Sequence, residues 1–218
     1  MITARDVVGR RHAAGRAAET LRKGGLVVHP TETVYGIGGD GSAANNHLIS
    51  RVKRRDAGQP LIVLTLGIDS LRSAFGPLDW PPAAESLTAR FWPGPLTLVV
   101  RCDGAPEGLA GPGGGLAIRV SPEPVVRAVL EAFGGPMTST SANLTGGAPA
   151  RQSSSALQLF EEREDLADVG VPVVVIDAGP TKGRKPSTIV SLLESPPRLI
   201  REGPVSRMEI AALLPELS

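Results

Sequence analysis

Apolar positions follow two periods along this chain, and the two alternate. Short continuous apolar runs bounded by Gly, Pro or polar residues read as buried strands. They are "LVVH" (26–29), "PLIVLTL" (60–66), "PLTLVVR" (95–101), "LAIRV" (116–120), "PMTST" (136–140), "PVVVIDAG" (172–179), "STIVSLL" (187–193) and "RLIREG" (198–203). Between them, apolar residues recur three and four apart, the helical spacing. The first such stretch, "MITARDVVGRRHAAGRAAETLRKGG", places Ala14, Ala17, Ala18 and Leu21 near one face and stops at Gly24-Gly25. "SAANNHLISRVKRR" (42–55) starts at a Ser cap and carries Leu48, Ile49 and Val52 on its apolar side. Further helices are expected near 83–91, over "PEPVVRAVLEAFGG" (122–135), over the acidic, capped "SSSALQLFEEREDLADV" (153–169) and over "SRMEIAALL" (206–214). The polar, proline-broken region 67–82 receives no element, and "GPGGG" (111–115) reads as a flexible loop.

This alternation predicts an α/β protein with a mostly buried sheet. No repeat or linker composition divides the chain, so one domain over 1–218 is expected. Aromatics make up only 3% of residues against 41% apolar overall, so the core must be built from Val, Leu, Ile and Ala. No apolar run approaches a membrane span, and the basic N-terminus lacks the apolar core of a secretory signal; a cytoplasmic protein is expected. The single cysteine, Cys102, excludes an intramolecular disulfide and any cysteine-based zinc site, and reads as a small filler in a strand. His12, His29 and His47 have no metal-ligand spacing. A formal net charge of +1 does not announce a nucleic-acid binder.

Dedicated catalytic motifs are missing. There is no Walker A loop, no GxGxxG turn and no Gly-x-Ser-x-Gly elbow. "GPGGG" could cradle a phosphate, but no strand–loop–helix context follows it, which favours a hinge. Lys53, Arg54 and Arg55 sit at a predicted helix C-terminus. They are either a solvated basic cap or an anion site in which Lys53 and Arg55 reach one polyphosphate. "TSTSANLTGG" (138–147) clusters small hydroxyls and an amide at a strand end, where open α/β sheets bind ligands. Arg119, within an apolar strand, needs an anionic partner: a structural acid or a bound carboxylate. Arg201 in "RLIREG" poses the same question. "HPTETVYG" (29–36) follows a strand and is expected to turn toward a helix. Together these pieces suit positioning and electrostatic stabilisation of anionic substrates, as in adenylate or phosphoryl transfer.

Six blocks, "PTETVYGIGGD" (30–40), "KRRDAGQPLIVL" (53–64), "RFWPGPLTLVV" (90–100), "LAIRVSPEPVV" (116–126), "STSANLTGG" (139–147) and "PSTIV…LIREG" (186–203), occur in an order and spacing that resembles the YrdC/TsaC-type threonylcarbamoyl-AMP synthases. The resemblance covers about residues 15–205. It implies a single-domain, twisted, mixed parallel and antiparallel sheet with flanking helices and a concave, positively lined face. It also implies an activity: ATP, L-threonine and bicarbonate would give threonylcarbamoyl-AMP and pyrophosphate, with Mg²⁺ carried on ATP. A separate transferase complex would then pass the threonylcarbamoyl group to tRNA.

Site roles follow from the same resemblance. Thr33, Arg119, Ser139 and Ser187 would face the threonine, Arg119 holding its carboxylate. Lys53 and Arg55 would face the phosphates, with Ser141, Asn143 and Arg201 on the ATP side. Tyr35 would pack beneath Thr33, and Glu32 would orient a hydroxyl or the ammonium group. Three departures stand out: Leu64 where many members carry histidine, Asp56 where proline is usual, and "RKP" before "STI". The chain would be the short form, without the extra C-terminal domain of longer members. Lys182, Arg184 and Lys185 would supply a mobile basic segment over the site. Two rival readings accompany this one: a non-catalytic module binding double-stranded RNA or tRNA, and a relative with altered substrate such as a carbamoyl-adenylate enzyme of hydrogenase maturation.

Overall fold

A computed structural model of the chain describes residues 1–55, 60–106, 108–160 and 170–218. The first half runs β1 (Ile2–Thr3), α1 (Val7–Arg22), β2 (Leu26–His29), β3 (Gly36–Gly38), α2 (Ala43–Lys53), β4 (Ile62–Leu64), α3 (Ile68–Phe75), α4 (Pro82–Phe91) and β5 (Leu96–Arg101). The second runs β6 (Gly115–Arg119), α5 (Pro124–Phe133), β7 (Met137–Ser141), α6 (Ser153–Leu157), β8 (Val173–Asp177), β9 (Thr188–Ser191), β10 (Arg198–Arg201) and α7 (Arg207–Ala211). The strands form one sheet in the order β1-β8-β2-β3-β7-β4-β6-β5-β9-β10. Parallel pairs (β2 with β8, β4 with β6, β5 with β9) mix with antiparallel ones (β2 with β3, β3 with β7, β4 with β7), so the expected mixed α/β sheet is present.

The helix ends obey local chemistry. Ser42 accepts from the Asn45 amide and starts α2, Asp6 accepts from Gly9 and starts α1, and Gly134 closes α5 in the left-handed region. Ser206 and Glu209 form a reciprocal capping box on α7.

Several expectations need correction. Region 67–82 contains α3: Ile68, Leu71 and Phe75 lie on one helical face between Gly67 and Gly76, and Leu71 is fully buried. Proline at 77, 81 and 82 conceals a helix that ends before the first of them. β1 and β3 are too short, at two and three residues, to show a period. "HPTETVYG" does not turn into a helix. His29 pairs with Gly36 across antiparallel β2 and β3, so residues 30–35 are a hairpin loop. The helix expected over 153–169 is described only as α6, capped by Gln152 without a side-chain bond; residues 161–169 lie outside the described residues. "GPGGG" holds a 3₁₀ turn at Pro112–Gly114. Cys102 is buried just past β5 rather than inside it.

The two sheet faces carry two aliphatic cores. One unites Leu26, Val28, Ile37, Val63, Leu98 and Val190 with residues of α2, α3, α4 and α7. The other unites Val27, Leu64, Met137 and Ile176 with α1 and α5. Helices α1 and α5 leave part of this second face uncovered. There the strands present Gly36, Ser139, Ser141 and Arg119 among Ile62, Leu64 and Ile189.

Candidate functional site

The uncovered face forms a cleft of about 300 Å³. Every candidate site residue lines it: Thr33, Lys53, Arg55, Arg119, Ser139, Ser141, Asn143, Ser187 and Arg201, with Leu64 in the wall. Thr31, Tyr35, Thr140 and Thr145, from the stretches singled out in the sequence, also line it, as do Ile62 and Ile189, which the sequence reading did not single out. Alternation along β4 was the available signal for Ile62, which lies two residues before Leu64 and therefore on the same face. Among the described lining residues there are four cations and no carboxylate. The field inside the cleft is therefore positive and suits an anion.

The threonine-rich hairpin loop is held by its own hydroxyls. Thr31 Oγ1 donates to the Val34 carbonyl at 2.6 Å and accepts from the Thr33 and Val34 amides at 3.2 and 3.1 Å. Its proton is thereby committed, so in the 2.7 Å contact between the two hydroxyls Thr33 is the donor. Tyr35 is fully buried, and its hydroxyl donates to Gly179 and accepts from the Ala178 amide. Burial pushes the phenol up from its ordinary value. Tyr35 thus fastens the hairpin to the end of β8, the packing role expected for it.

Arg119 ends β6 and is buried. Of the two alternatives raised for it from sequence, the structure shows the structural acid. Its Nη2 donates to Glu32 at 2.5 Å and to Thr33 Oγ1 at 3.3 Å, while Nε donates to the Gly94 carbonyl at 3.2 Å. The structural acid therefore exists: it is Glu32, whose other oxygen accepts from Ser121 at 2.6 Å. Glu32 thus orients the guanidinium, which also lines the cleft. Arg201 departs from expectation. It lies on edge strand β10, its residue exposed overall but its guanidinium half-buried against Ser187, not a charge buried within the sheet. Its Nε donates to the Ser187 carbonyl and its Nη2 reaches Ser187 Oγ. Desolvation, and then the charge of Arg119, lower its pKa, which places the two guanidiniums within reach of each other's field. Ser187 also exchanges a 2.9 Å bond with Thr97, so Ser187 and Arg201 form one unit at the junction of the cleft.

The basic helix end splits in two. Arg54 takes a left-handed conformation at φ 49° and lies exposed, away from the cleft. That turn brings Lys53 and Arg55 to the same side, so a wholly solvated cap is excluded. Lys53 is buried. Its ammonium donates to the carbonyls of Ser141 and Asn143 at 2.6 and 2.7 Å. Burial, followed by the charge of Arg55, lowers its pKa to about 8. Asn143 spends its amide on the Leu144 and Gly147 carbonyls, at 2.7 and 2.8 Å. Lys53 and Asn143 together therefore shape the loop 141–147 around the cleft.

The segment before β9 packs on the hairpin. The Gly183 amide donates to Glu32 O, and a β-carbon at Gly183 would lie 2.5 Å from the Thr33 backbone. Lys182, Arg184 and Lys185 are exposed along it. No residue of "GPGGG" lines the cleft.

The fold agrees with known proteins. The model of the Sua5/YciO/YrdC family, described as telomere recombination, matches residues 19–203. The chain belongs to the Sua5/YciO/YrdC family. It is 40% identical over 147 residues to a threonylcarbamoyl-AMP synthase of Xanthomonas campestris pv. campestris, covering 64% of this chain and 75% of that one. Sua5 of P. abyssi, solved in complex with L-threonine, superposes with a TM-score of 0.82 at 29% identity, covering 100% of this chain. The match spans 61% of that longer protein. E. coli YciO superposes with a TM-score of 0.73 at 27% identity, covering 92% of this chain and 93% of its own.

Proposed function

We propose that this chain is a threonylcarbamoyl-AMP synthase, a nucleotidyltransferase that forms threonylcarbamoyl-AMP and pyrophosphate from ATP, L-threonine and bicarbonate for modification of tRNA. The observation that carries the reading is the cleft itself: four cations and a ring of hydroxyls, with no carboxylate among its described lining residues. Such a lining binds a carboxylate and a polyphosphate at once and stabilises charge that shifts between phosphate oxygens.

In this reading Arg119, oriented by Glu32 and Gly94, takes the threonine carboxylate, with Thr33, Ser139 and Ser187 around the rest of the amino acid. Lys53 and Arg55 face the phosphates. Ser141 and Asn143 shape the nucleotide side, and Arg201 bridges the two halves from its seat on Ser187. Mg²⁺ would come with ATP, held by its phosphate oxygens, because the described lining offers hydroxyls and amides but no acid to hold it. The chain's contribution is placement and electrostatics: threonine's amine, bicarbonate and the α-phosphate are brought to reacting distance in a desolvated cleft. The product then passes to a separate threonylcarbamoyl transferase complex, so tRNA contact is indirect. The work fits the cytoplasm, and no described helix is long and apolar enough to cross a membrane.

The test is pyrophosphate release from ATP with Mg²⁺ and bicarbonate, with L-threonine, with L-serine, or with no amino acid. Release that requires L-threonine is expected. Release independent of amino acid, or none with any, would overturn the reading, and salt-sensitive tRNA binding by the inactive protein would replace it with an RNA-binding module.

A further inference from the structure

We propose that His29 is a positioning residue that turns the Ser139 hydroxyl proton away from the cleft, so that Ser139 accepts a hydrogen bond from the amino group of the amino-acid substrate. The inference rests on the reading of the cleft as an amino-acid and ATP site, and adds to it a residue outside the cleft lining.

His29 ends β2 and is fully buried. Its Nδ1 lies 3.1 Å from the Pro30 carbonyl, which can only accept, so Nδ1 carries the hydrogen. Burial lowers the imidazole pKa to about 4 and Arg119 acts in the same direction, so the ring is neutral near pH 7 and Nε2 is a bare lone pair. Ser139 Oγ lies 3.2 Å from that nitrogen. The serine must then be the donor, and its one proton is committed inward. What it offers the cleft is lone pairs.

The path between the two residues is built by glycine. His29 sits on β2 and Ser139 on β7, with β3 between them. A β-carbon on Gly36 would stand 2.8 Å from Ser139 Oγ and 3.0 Å from His29 Nε2. One on Gly38 would meet the Thr138 carbonyl at 2.0 Å. The strand "GIG" therefore leaves the imidazole lying across it. Only glycine at 36 allows the contact.

The chemistry explains why this cleft needs such a device. An ammonium or amine entering beside four cations requires acceptors, and no carboxylate among the described lining residues supplies one. Thr33 has the same arrangement on the hairpin: its proton goes to Thr31 and one of its lone pairs is met by Arg119. Ser139 is the hydroxyl whose proton is locked inward by a ring that stays neutral.

Two substitutions separate positioning from packing. His29→Gln keeps an acceptor where Nε2 lies; His29→Asn keeps only the donor toward Pro30. Steady-state kinetics of the full chain are expected to show a KM for L-threonine raised about tenfold or more in His29→Asn, the loss of one hydrogen bond to a charged group. KM for ATP should stay within about twofold, and His29→Gln within about threefold of wild type for both substrates. Equal threonine KM values in the two variants, or ATP and threonine KM values rising together, would overturn the proposal. Wild-type protein without threonine dependence would sink the functional reading and this inference with it; dependence with indistinguishable variants sinks this inference alone. A measurement on unmodified protein guards against variants that do not fold. The ¹⁵N imidazole spectrum at pH 7 should show His29 as the Nδ1–H tautomer, and an Nε2–H tautomer or an imidazolium would be decisive against it.

Discussion

Arg119 and Glu32 meet inside the cleft wall, the guanidinium Nη2 bonding one carboxylate oxygen while Ser121 bonds the other. Side-chain exposure is 5% for the arginine and 21% for the acid, so the pair is shielded from water enough to hold a fixed geometry. Glu32 stands where a substrate carboxylate would otherwise be the arginine's first partner. It therefore both aims the guanidinium and offsets its charge.

That double role predicts opposite signs for two substitutions. Arg119→Ala should raise KM for L-threonine ten- to a hundredfold, the worth of a charge-assisted bond of about 1.5–3 kcal/mol, with a smaller effect on ATP. Glu32→Gln keeps an acceptor but removes the opposing charge. It should lower KM for threonine a few-fold while reducing stability by about 1–3 kcal/mol. Substrate titration together with urea unfolding checks both. Equal loss of threonine and ATP binding in Arg119→Ala would remove the arginine from the amino-acid side.

His29 makes acid stability measurable at one residue. Its folded pKa, about 4, lies below the ordinary 6.5, chiefly through burial and also through Arg119. A depressed folded pKa means that unfolding takes up a proton as pH falls. The contribution is whole above pH 6.5 and is lost on the way down to 4. Over pH 6.5 to 4.5 the stability of wild type should drop by about 2 kcal/mol more than that of His29→Gln, which has no such titration. Denaturant melts of both proteins at the two pH values give the comparison, and parallel pH profiles would show that the imidazole is not desolvated.

Arg54 provides a control away from the chemistry. It is exposed and holds φ 49° at the end of α2, a conformation that a β-carbon disfavours by about 1–2 kcal/mol. Arg54→Gly should stabilise the chain by about 0.5–1 kcal/mol, less than the full strain because glycine also loosens the unfolded chain, and should leave both KM values unchanged. A thermal melt and one kinetic series suffice.

Much of this was legible in the sequence for particular physical reasons. The strand β2 and the helix α2 have caps, periods and stops within a dozen residues, so local rules find them. Arg119 stood out as a charge in an apolar strand, Lys53 and Arg55 as a basic pair at a helix end, and Ser139 as part of a run of hydroxyls at a strand end. What remained hidden depends on partners far along the chain. β3 has three residues and exists because β2 and β7 flank it. Glu32 and Arg119 are 87 positions apart, so no spacing rule joins them. His29 looked like an unattached histidine, and its role needs the register of three strands. Arg201 misled in the opposite sense: an arginine in an apolar run looks buried until the strand proves to be an edge.

Lys53 leads to a prediction about protons. Its ammonium sits among carbonyls, desolvated beside Arg55, with a pKa lowered from 10.5 to about 8. Lowering disfavours the charged form, so between about pH 8 and 10.5 the folded protein binds fewer protons than the unfolded chain, and Lys53's contribution to stability rises with pH across that window. A polyphosphate arriving at the cleft reverses the balance, because its negative charge favours the ammonium. ATP binding should therefore take up a proton above pH 8, and ATP affinity should fall as pH rises from 8 to 9.5. Calorimetry at pH 8.5 in buffers of different ionisation heat should show an uptake of up to about three-quarters of a proton per ATP, and Lys53→Arg, which cannot lose its proton, should show none from this site. Uptake unchanged in the variant would mean that the phosphates do not sense Lys53, and the nucleotide would have to be placed elsewhere in the cleft.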